Sequence, residues 1–286
     1  MSVDAASSDL ETWIKRLGEG PDGVYGSCGG ESAQATEIEF RNKVAAQHYD
    51  NYLREVSRHH SVPVMDVEVR RFVESIPRGG WIADIGGCWG WHWRHLRALR
   101  PDVRVAIVDF VRANLGHARR LLGDAIGREI YLVHGDATRL DLPEASFDGY
   151  WSVQTLQHIS AFDVAVAEAH RILRPGGQLA IYSLNDAAAV RLLSRVVGRH
   201  YHRAGTIAEA FYLERLSPRQ IAAVASVFRG TPRQRFTEIL FNPDLGLRRS
   251  GAPDSLIGRI DARLSSAGRL WSLVARQHSL HATRQH

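Results

Sequence analysis

The sequence predicts an α/β fold in which helices cover both faces of a mostly parallel β-sheet. Short apolar runs alternate with amphipathic segments of roughly 10–15 residues, a pattern typical of strand–helix–strand units. Five such runs lie at 81–85, 103–110, 129–136, 147–153 and 178–184. Parallel neighbours need crossover connections, which are right-handed and place the helices on the faces of the sheet.

The segments on either side of these runs complete the predicted architecture. Residues 1–36 are rich in glycine and small polar residues, and we expect a loosely packed lead-in. A helical pattern follows from residue 38 to about residue 76, where a Pro–Gly-rich stretch ends it. After residue 185 we expect helices near 187–198, 217–228 and 254–267, an interrupted amphipathic segment at 200–216, a sixth strand at 233–241 and a seventh, buried strand at 269–276.

The composition is that of an ordinary globular protein. Of the 286 residues, 44% are hydrophobic and 23% are charged, which is enough to bury a substantial core. No apolar run approaches the roughly 18 residues of a membrane span, and the first residues do not have the pattern of a secretory signal. Cys28 and Cys88 form neither a disulfide framework nor a Cys-x-x-Cys metal motif. We therefore expect a soluble, cytoplasmic protein.

The net charge of +5 comes from the end of the chain. Residues 248–286 hold seven arginines against two aspartates, so the rest of the chain is neutral overall. A basic tail can bind nucleic acid, but these arginines are spread out rather than clustered. A solvated surface is the favoured interpretation, and binding to nucleic acid is the less favoured alternative.

Polar residues and glycines follow four of the predicted strands. In an open parallel sheet, ligands bind beyond the carboxyl ends of the strands. The first strand ends in Asp84-Ile-Gly86-Gly87-Cys88-Trp89-Gly90, the second in Asp109, the third in Gly135-Asp136-Ala137 and the fourth in Ser152-Val153-Gln154. Glycines let a backbone approach a ligand closely, and an acid at the next strand end can accept two hydrogen bonds from a ribose. Together, the four strand ends predict a ligand that contains adenosine.

Several of these features resemble the class I S-adenosylmethionine-dependent methyltransferases. They are the acid two residues before Gly86, the glycine four residues after it, the segment GDATRLDLPEASFDGYWS and the later LRPGG. The resemblance covers about residues 80–185 and is strongest to the methyltransferase type 11 group, which includes the ubiquinone and menaquinone methyltransferases. It implies a Rossmann-like, seven-stranded sheet in the order 3-2-1-4-5-7-6, S-adenosyl-L-methionine as cofactor and S-adenosyl-L-homocysteine as product, with no metal.

The resemblance also implies roles for individual residues. Asp84 would orient the methionine ammonium group, directly or through water, and Asp109 would hold the ribose hydroxyls. Tyr49 would lie over the cofactor near the methyl group. The remaining positions are Gly86, Gly87 and Gly90 in the turn, Phe110 against adenine, Asp136 and Ala137 at the adenine edge, and Ser152 and Val153 along the methionine arm.

The turn departs from the family pattern at one position. Relatives place a glycine where this chain has Cys88, which here follows Gly87. The exchange is tolerable if Gly87 takes the conformation that lacks room for a Cβ, and otherwise the cofactor site would be reshaped. We expect cofactor binding to survive, because the other three strand ends are intact.

Histidines near the turn allow two interpretations each. His92 and His95 are three residues apart on one predicted helix, as in some metal sites, but no third ligand is close in sequence and the neighbouring tryptophans favour packing. His158 follows the fourth strand, where relatives carry a polar pair facing the transferred methyl. It could take a proton from the acceptor, or it could simply hydrogen-bond its own loop.

The expected organisation follows from the resemblance. Residues 1–76 would cap the cofactor site, and residues 77–286 would form the methyltransferase domain, with a substrate lid at about 186–216. We expect methyl transfer to a small-molecule acceptor in specialised or cofactor metabolism, to oxygen before nitrogen or carbon. The alternatives are an RNA or other macromolecule methyltransferase that uses the arginine-bearing C-terminal region, and a protein that binds the cofactor without transferring methyl. A homodimer is left open.

Overall fold

A computed structural model describes residues 3–26, 39, 41–43, 51–207, 211–265 and 268–286. Within these residues we number the helices α1 Val3–Arg16, α2 Tyr52–His59, α3 Val62–Ser75, α4 Leu96–Leu99, α5 Arg112–Leu122, α6 Phe162–Ile172, α7 Ala188–Val196, α8 Pro218–Val227 and α9 Leu256–Leu264. The strands are β1 Trp81–Ile85, β2 Arg104–Asp109, β3 Ile130–His134, β4 Phe147–Val153, β5 Leu173–Leu184, β6 Ala204–Ile207, β7 Phe211–Glu214, β8 Arg233–Thr237 and β9 Gln277–Thr283.

The described strands form one large sheet and a separate hairpin. Seven strands are ordered β3-β2-β1-β4-β5-β9-β8, and β6 pairs with β7 as an antiparallel hairpin. Strand β9 runs antiparallel to both of its neighbours, whereas the pairs from β3 to β5 are parallel. Since β8 and β9 are the sixth and seventh strands once the hairpin is set aside, the predicted fold class and strand order are confirmed.

The central strands are apolar on both sides because helices cover both faces. In β1 all five residues are buried, and alternate side chains enter two separate cores. Trp81, Ala83 and Ile85 pack in the core shared with α1, α6 and α8, while Ile82 packs in the core beneath α2, α3 and α5. The result is a three-layer arrangement with the carboxyl ends of the parallel strands at one edge.

The seventh strand lies later than predicted. Residues 269–276 were expected to form it, but residues Arg269–Leu273 form a 3-10 helix that leaves Leu270 and Leu273 exposed. The strand is Gln277–Thr283, whose buried Gln277 and His278 are paired with Thr237 and Gln234 of the neighbouring strand. The strand could not be located from apolar content, because its buried side chains are polar. Their hydrogen-bond partners lie on β8, which is distant in sequence.

Three other predicted elements were also wrong. The helix expected directly after β1 is a 3-10 helix, Trp91–Trp93, followed by the four-residue α4, because the left-handed backbone at Cys88 and Gly90 keeps the start of this segment out of a helix. The interrupted amphipathic segment at 200–216 contains the β6–β7 hairpin. The sixth strand ends at Thr237 rather than at residue 241. The helix after Ser217 is confirmed, with the Ser217 hydroxyl and Gln220 forming a capping box.

The N-terminal helices lie on opposite faces of the sheet. Leu10 and Ile14 of α1 pack with Tyr25, which hydrogen-bonds through its backbone to the outer edge of β3. Helix α3 buries Met65 and Phe72 against the other face. In the described part of the chain, no helix is both long enough and apolar enough to cross a membrane.

Candidate active site

The turn after β1 is built closely around the carboxylate of Asp84. Gly86 has a positive φ of 69°, and its N–H donates to the carbonyl of Val108 at 2.7 Å. A Cβ on Gly87 would lie 2.2 Å from Oδ2 of Asp84, so only glycine fits between the turn and this side chain. A Cβ on Gly86 would likewise overlap Thr155 of the loop after β4. The turn is therefore pressed between the ends of β2 and β4.

Asp84 is a buried carboxyl with a perturbed pKa. Its side chain is almost fully buried, and its Oδ2 accepts a hydrogen bond of 2.6 Å from Nε1 of Trp93. Burial raises the pKa of Asp84 to about 7, with Asp109 adding to the rise and the Trp93 hydrogen bond opposing it. A cation brought next to this group would favour its ionised form, because the low-dielectric surroundings strengthen the attraction.

Cys88 adopts a left-handed backbone conformation. Its φ is 52°, which is uncommon for any residue other than glycine. Gly87 has no room for a Cβ, as expected, but the left-handed conformation falls on Cys88 itself. Burial raises the pKa of the Cys88 thiol, so the group stays protonated near neutral pH. Gly90 is left-handed as well, and a Cβ there would lie 2.7 Å from Leu122.

Asp109 is held at the end of β2 by three hydrogen bonds. Its Oδ2 accepts from the N–H of Cys88 at 2.9 Å, and its Oδ1 accepts from the N–H of Val111 at 2.8 Å. Nδ2 of Asn114 donates to the same Oδ1 at 3.2 Å. Burial raises the pKa of Asp109, and these donors oppose the rise. Each carboxylate oxygen has two lone pairs, so at least one acceptor position remains for an incoming hydroxyl.

The ends of β3 and β4 lie beside this turn. Oδ1 of Asp136 accepts from both the N–H and the hydroxyl of Thr138 at 2.8 Å, which fixes its loop. Ala137 is buried in the core, next to that carboxylate in sequence. Ser152 is fully buried and donates to the carbonyl of Ile85 at 2.9 Å, so it joins β4 to β1. Val153 and Phe110 are partly exposed at the ends of β4 and β2.

Aromatic side chains cover the turn from the N-terminal side. Tyr49 lies outside the described residues. Tyr52, three positions later, stacks on Trp89 with ring centroids 3.9 Å apart. Burial raises the pKa of Tyr52 well above its usual value, and the nearby Cys88 and Asp109 add to the rise. The first helix turn of α2 therefore lies over the turn after β1.

His158 contacts the hairpin through one ring nitrogen and its own loop through the other. Its Nδ1 lies 2.7 Å from the carbonyl of Tyr212, and its ring meets Phe211 edge to face at 5.5 Å. Its Nε2 lies 3.2 Å from Nε2 of Gln157, whose Oε1 accepts from the N–H of Leu184. Burial and, to a smaller extent, the charge of Arg41 lower the pKa of His158 to about 4, so the ring is neutral at pH 7.

His92 and His95, whose spacing could suggest a metal site, do not lie on one helix. His92 is buried, with Trp91 and Trp151 against its ring, whereas His95 is exposed. Among the residues that the structure describes, no group of three or more His, Cys, Asp or Glu side chains could hold a metal ion.

Sequence reasoning missed four residues of this site. Trp93 orients Asp84, Asn114 orients Asp109, Tyr52 covers the turn, and Arg41 acts electrostatically on both Asp109 and His158. Asn114 could have been recognised, because it lies in the first helix turn after the acidic strand end. Arg41 carried no such signal, since it is distant from both Asp109 and His158 in sequence.

Comparisons with known proteins show similarity to methyltransferases. Residues 83–181 match the family model described as a methyltransferase domain. A 93-residue stretch is 36% identical to a ubiquinone/menaquinone biosynthesis C-methyltransferase from Methylobacterium nodulans, covering 32% of this chain and 37% of that protein. Another stretch of 114 residues is 36% identical to a malonyl-[acyl-carrier protein] O-methyltransferase from Dechloromonas aromatica, covering 39% of this chain and 40% of that protein. These matches thus span about two fifths of each relative.

Solved structures share the fold over most of the chain. Burkholderia thailandensis 1,6-didemethyltoxoflavin-N1-methyltransferase, solved with its substrate and S-adenosylhomocysteine, aligns with a TM-score of 0.53 at 15% identity. The alignment covers 92% of this chain and 95% of that one. An S-adenosylmethionine-dependent methyltransferase from Thermotoga maritima aligns with a TM-score of 0.52 at 14% identity, covering 88% of this chain and all of that one.

Proposed function

We propose that this chain transfers the methyl group of S-adenosylmethionine to a small-molecule acceptor, because residues 83–181 match the model of a methyltransferase domain and part of the chain is similar to curated methyltransferases. The observation that carries the proposal is the joined pair of strand ends, in which the turn around Asp84 hydrogen-bonds through Cys88 to Asp109. This bond holds Asp84, the proposed partner of the ammonium group, at a fixed separation from Asp109, the proposed partner of the ribose diol.

The residues present fit this cofactor. Asp84 offers a buried carboxylate to the ammonium group, Gly86 and Gly87 bring the backbone close, and Asp109 retains an acceptor position for the ribose. When bound, the cofactor supplies a methyl group on a sulfonium, which is a good electrophile for in-line displacement. The other proposed contacts are Gly90 in the turn, Phe110, Asp136 and Ala137 at the adenine, and Ser152 and Val153 along the methionine arm.

The protein's own contribution would be alignment and proton removal. A displacement reaction is accelerated most when the acceptor atom is held in line with the bond that breaks. This alignment can supply a large part of the rate enhancement. The hydrogen bond from Nδ1 of His158 to Tyr212 leaves Nε2 as the basic nitrogen. An acceptor hydroxyl would replace the Gln157 amide at Nε2 and pass its proton there as the methyl group is transferred, since a ring with a pKa of about 4 is too weak a base to deprotonate a hydroxyl beforehand. We propose oxygen as the first choice of acceptor atom, ahead of nitrogen and carbon.

The organisation of the chain supports an enclosed site. We propose that residues 1–76, through Tyr52 and the segment containing Tyr49, cap the cofactor, and that residues 77–286 form the catalytic domain. The hairpin within the insertion at about 186–216 would close over the acceptor, since its Tyr212 and Phe211 contact His158. We also propose that Tyr49 lies near the methyl group of the cofactor.

The C-terminal arginines give little support to the RNA alternative. Arg276 pairs with the buried Glu238 at 2.8 Å, and Arg284 donates to the backbone carbonyls of His170 and Arg171. Both guanidinium groups therefore have structural partners within the protein.

The decisive experiment measures cofactor binding and turnover with matched variants. Calorimetry should detect S-adenosylmethionine and S-adenosylhomocysteine, and Asp109→Ala should weaken both by at least about tenfold, since it removes the charged acceptor. Asp102→Ala is the control, because Asp102 pairs with Arg100 at the opposite end of β2. A substrate panel read by S-adenosylhomocysteine formation then identifies the acceptor. Absence of binding at millimolar ligand would overturn the proposal, and binding without turnover for any acceptor would favour the non-methylating alternative.

A further inference from the structure

An exposed apolar surface lies on α7 and on the 3-10 helix Arg269–Leu273, which pack against each other. Six aliphatic side chains on it are 42–84% exposed. We call this surface the apolar face, and it consists of Leu192, Leu193, Val196, Val197, Leu270 and Leu273.

The spacing on α7 concentrates these side chains on the outer side of the helix. Leu192 and Val196 are four residues apart, as are Leu193 and Val197, so each pair lies on the same stripe. The inner side buries Val190 and Ser194. Exposed surfaces that gather several large apolar side chains mark interaction sites, whereas single exposed apolar residues need no explanation.

The charges around the apolar face are predominantly positive. Residues 186–203 hold four arginines against one acid, Asp186, a net charge of +3. Asp186 is already paired with Arg191 and Arg203 at 2.7 Å. Arg195 and Arg199 are exposed on or just after α7, and Arg269 is exposed at the start of the 3-10 helix. The face therefore combines protruding aliphatic groups with a surplus of positive charge.

We propose that the apolar face docks on a bilayer that contains anionic phospholipid. Helices that lie in the membrane interface combine a protruding apolar side with arginines that attract anionic headgroups. A second copy of the chain fits less well, because a two-fold contact would bring the same arginines against one another. Leu270 is 84% exposed, so it protrudes from the surface as an inserting side chain does rather than lining a groove.

The position of the face connects it to the proposed acceptor site. Helix α7 leads directly into the β6–β7 hairpin, whose Tyr212 contacts His158. Docking would bring the hairpin next to the lipid headgroups, where an apolar acceptor dissolved in the bilayer could enter. This inference concerns binding to membranes and does not rest on methyl transfer, so the two can fail independently.

The test is sedimentation of the full chain with vesicles, read by the bound fraction. We expect binding to vesicles of phosphatidylcholine with phosphatidylglycerol, and much weaker binding to phosphatidylcholine alone. Raising the salt concentration should weaken the binding, since surface charges are screened. The pair Arg195→Gln with Arg199→Gln should weaken it about 25-fold, at about fivefold for each arginine near the surface. The pair Leu192→Ser with Leu270→Ser should weaken it at least about tenfold.

Matched controls separate docking from general effects. Val164→Ser removes an aliphatic side chain of 44% exposure from α6, on another part of the surface, and Arg229→Gln removes an exposed arginine after α8. Both should bind vesicles as the unaltered chain does, and circular dichroism should show every variant folded. The proposal is overturned if the chain stays in the supernatant, if neutral and anionic vesicles bind it equally, or if the face variants bind normally. It is also overturned if light scattering shows a dimer that Leu192→Ser with Leu270→Ser dissociates.

Discussion

The backbone N–H of Cys88 donates to Oδ2 of Asp109 at 2.9 Å, which fastens the turn after β1 to the end of β2. The bond is made by the main chain, so it depends on the conformation of residue 88 and not on its side chain. A cysteine can therefore stand at this position of the turn, provided that it accepts a φ of 52°.

Substitutions at Cys88 should separate conformation from side chain. Cys88→Gly should leave the free energy of unfolding within about 1 kcal/mol of the original, because relief of the left-handed conformation offsets the added freedom of the unfolded chain. Cys88→Val should lower it by about 2 kcal/mol, since a β-branched residue resists a positive φ, and it should also weaken cofactor binding. Thermal unfolding and calorimetry with S-adenosylhomocysteine measure both effects. Equal stability of the valine variant would contradict the assigned backbone conformation.

A methyl group at Gly87 should disrupt the cofactor site. In Gly87→Ala the new Cβ would lie 2.2 Å from Oδ2 of Asp84 and 2.8 Å from Ile107, so the carboxylate or the turn must move. We expect the dissociation constant for S-adenosylhomocysteine to rise at least about tenfold, a loss of about 1.4 kcal/mol. Gly116→Ala is the control, because Gly116 lies within α5 and nothing lies within 4 Å of its Cβ position.

The control variant Gly116→Ala should differ from Gly87→Ala in both stability and cofactor binding. Gly116→Ala should raise the stability by up to about 1 kcal/mol, as alanine favours a helix, and should leave cofactor binding unchanged. If Gly87→Ala bound the cofactor as tightly as Gly116→Ala does, the turn would not contact the ligand through this residue.

The sequence predicted the sheet because the central strands carry their own signal. Strands β1 and β2 are apolar on both sides, and the acids at positions 84 and 109 end at the same edge of the sheet. Fold class, strand order and the turn could therefore be read from local patterns. Strand β9 could not, since its buried Gln277 and His278 are polar and are stabilised only by partners on β8.

The site residues that escaped prediction share a physical reason. Trp93 and Tyr52 contact the site through side chains whose direction depends on tertiary packing and not on periodicity. A tryptophan beside the turn is equally compatible with a core position, and only its hydrogen bond to Asp84 assigns it to the site. The partner of His158 was likewise not predictable, because the Tyr212 carbonyl lies on a hairpin more than 50 residues later.

Cofactor binding should depend on pH through Asp84. Its pKa of about 7 lies well above the usual 3.8, so the carboxyl becomes protonated as the pH falls below 7 and no longer attracts an ammonium group. We expect the affinity for S-adenosylhomocysteine to decrease from pH 7 towards pH 5.5, by at most about tenfold per pH unit. Calorimetry in two buffers of different ionisation heat should also detect a proton released on binding at pH 6.

Replacement of the titrating group provides the control for this dependence. Asp84→Asn should bind weakly at every pH and should lose the decrease between pH 7 and pH 5.5. A pH profile identical to that of the unaltered chain would mean that the titration belongs to another group.

His92 should lower the stability of the protein in mild acid. Both of its ring nitrogens are buried without a hydrogen-bond partner, and burial lowers its pKa to about 3. In the unfolded chain the ring takes up a proton below about pH 6.5, whereas in the folded chain it stays neutral, so stability is lost as the pH falls. Between pH 6.5 and pH 5 the loss from this residue should be about 2 kcal/mol.

The substitution His92→Phe removes both the titration and the unpartnered nitrogens. Phenylalanine keeps the ring that Trp91 and Trp151 pack against. We therefore expect a gain of about 1 kcal/mol at pH 7.5 and about 3 kcal/mol at pH 5, measured by urea unfolding. His95→Phe changes an exposed neighbour and should leave the dependence on pH as it is. If His92→Phe lost stability at both pH values, the imidazole would instead bind buried water. Loss of that hydrogen bond would then cost more free energy than removal of two unpartnered nitrogens gains.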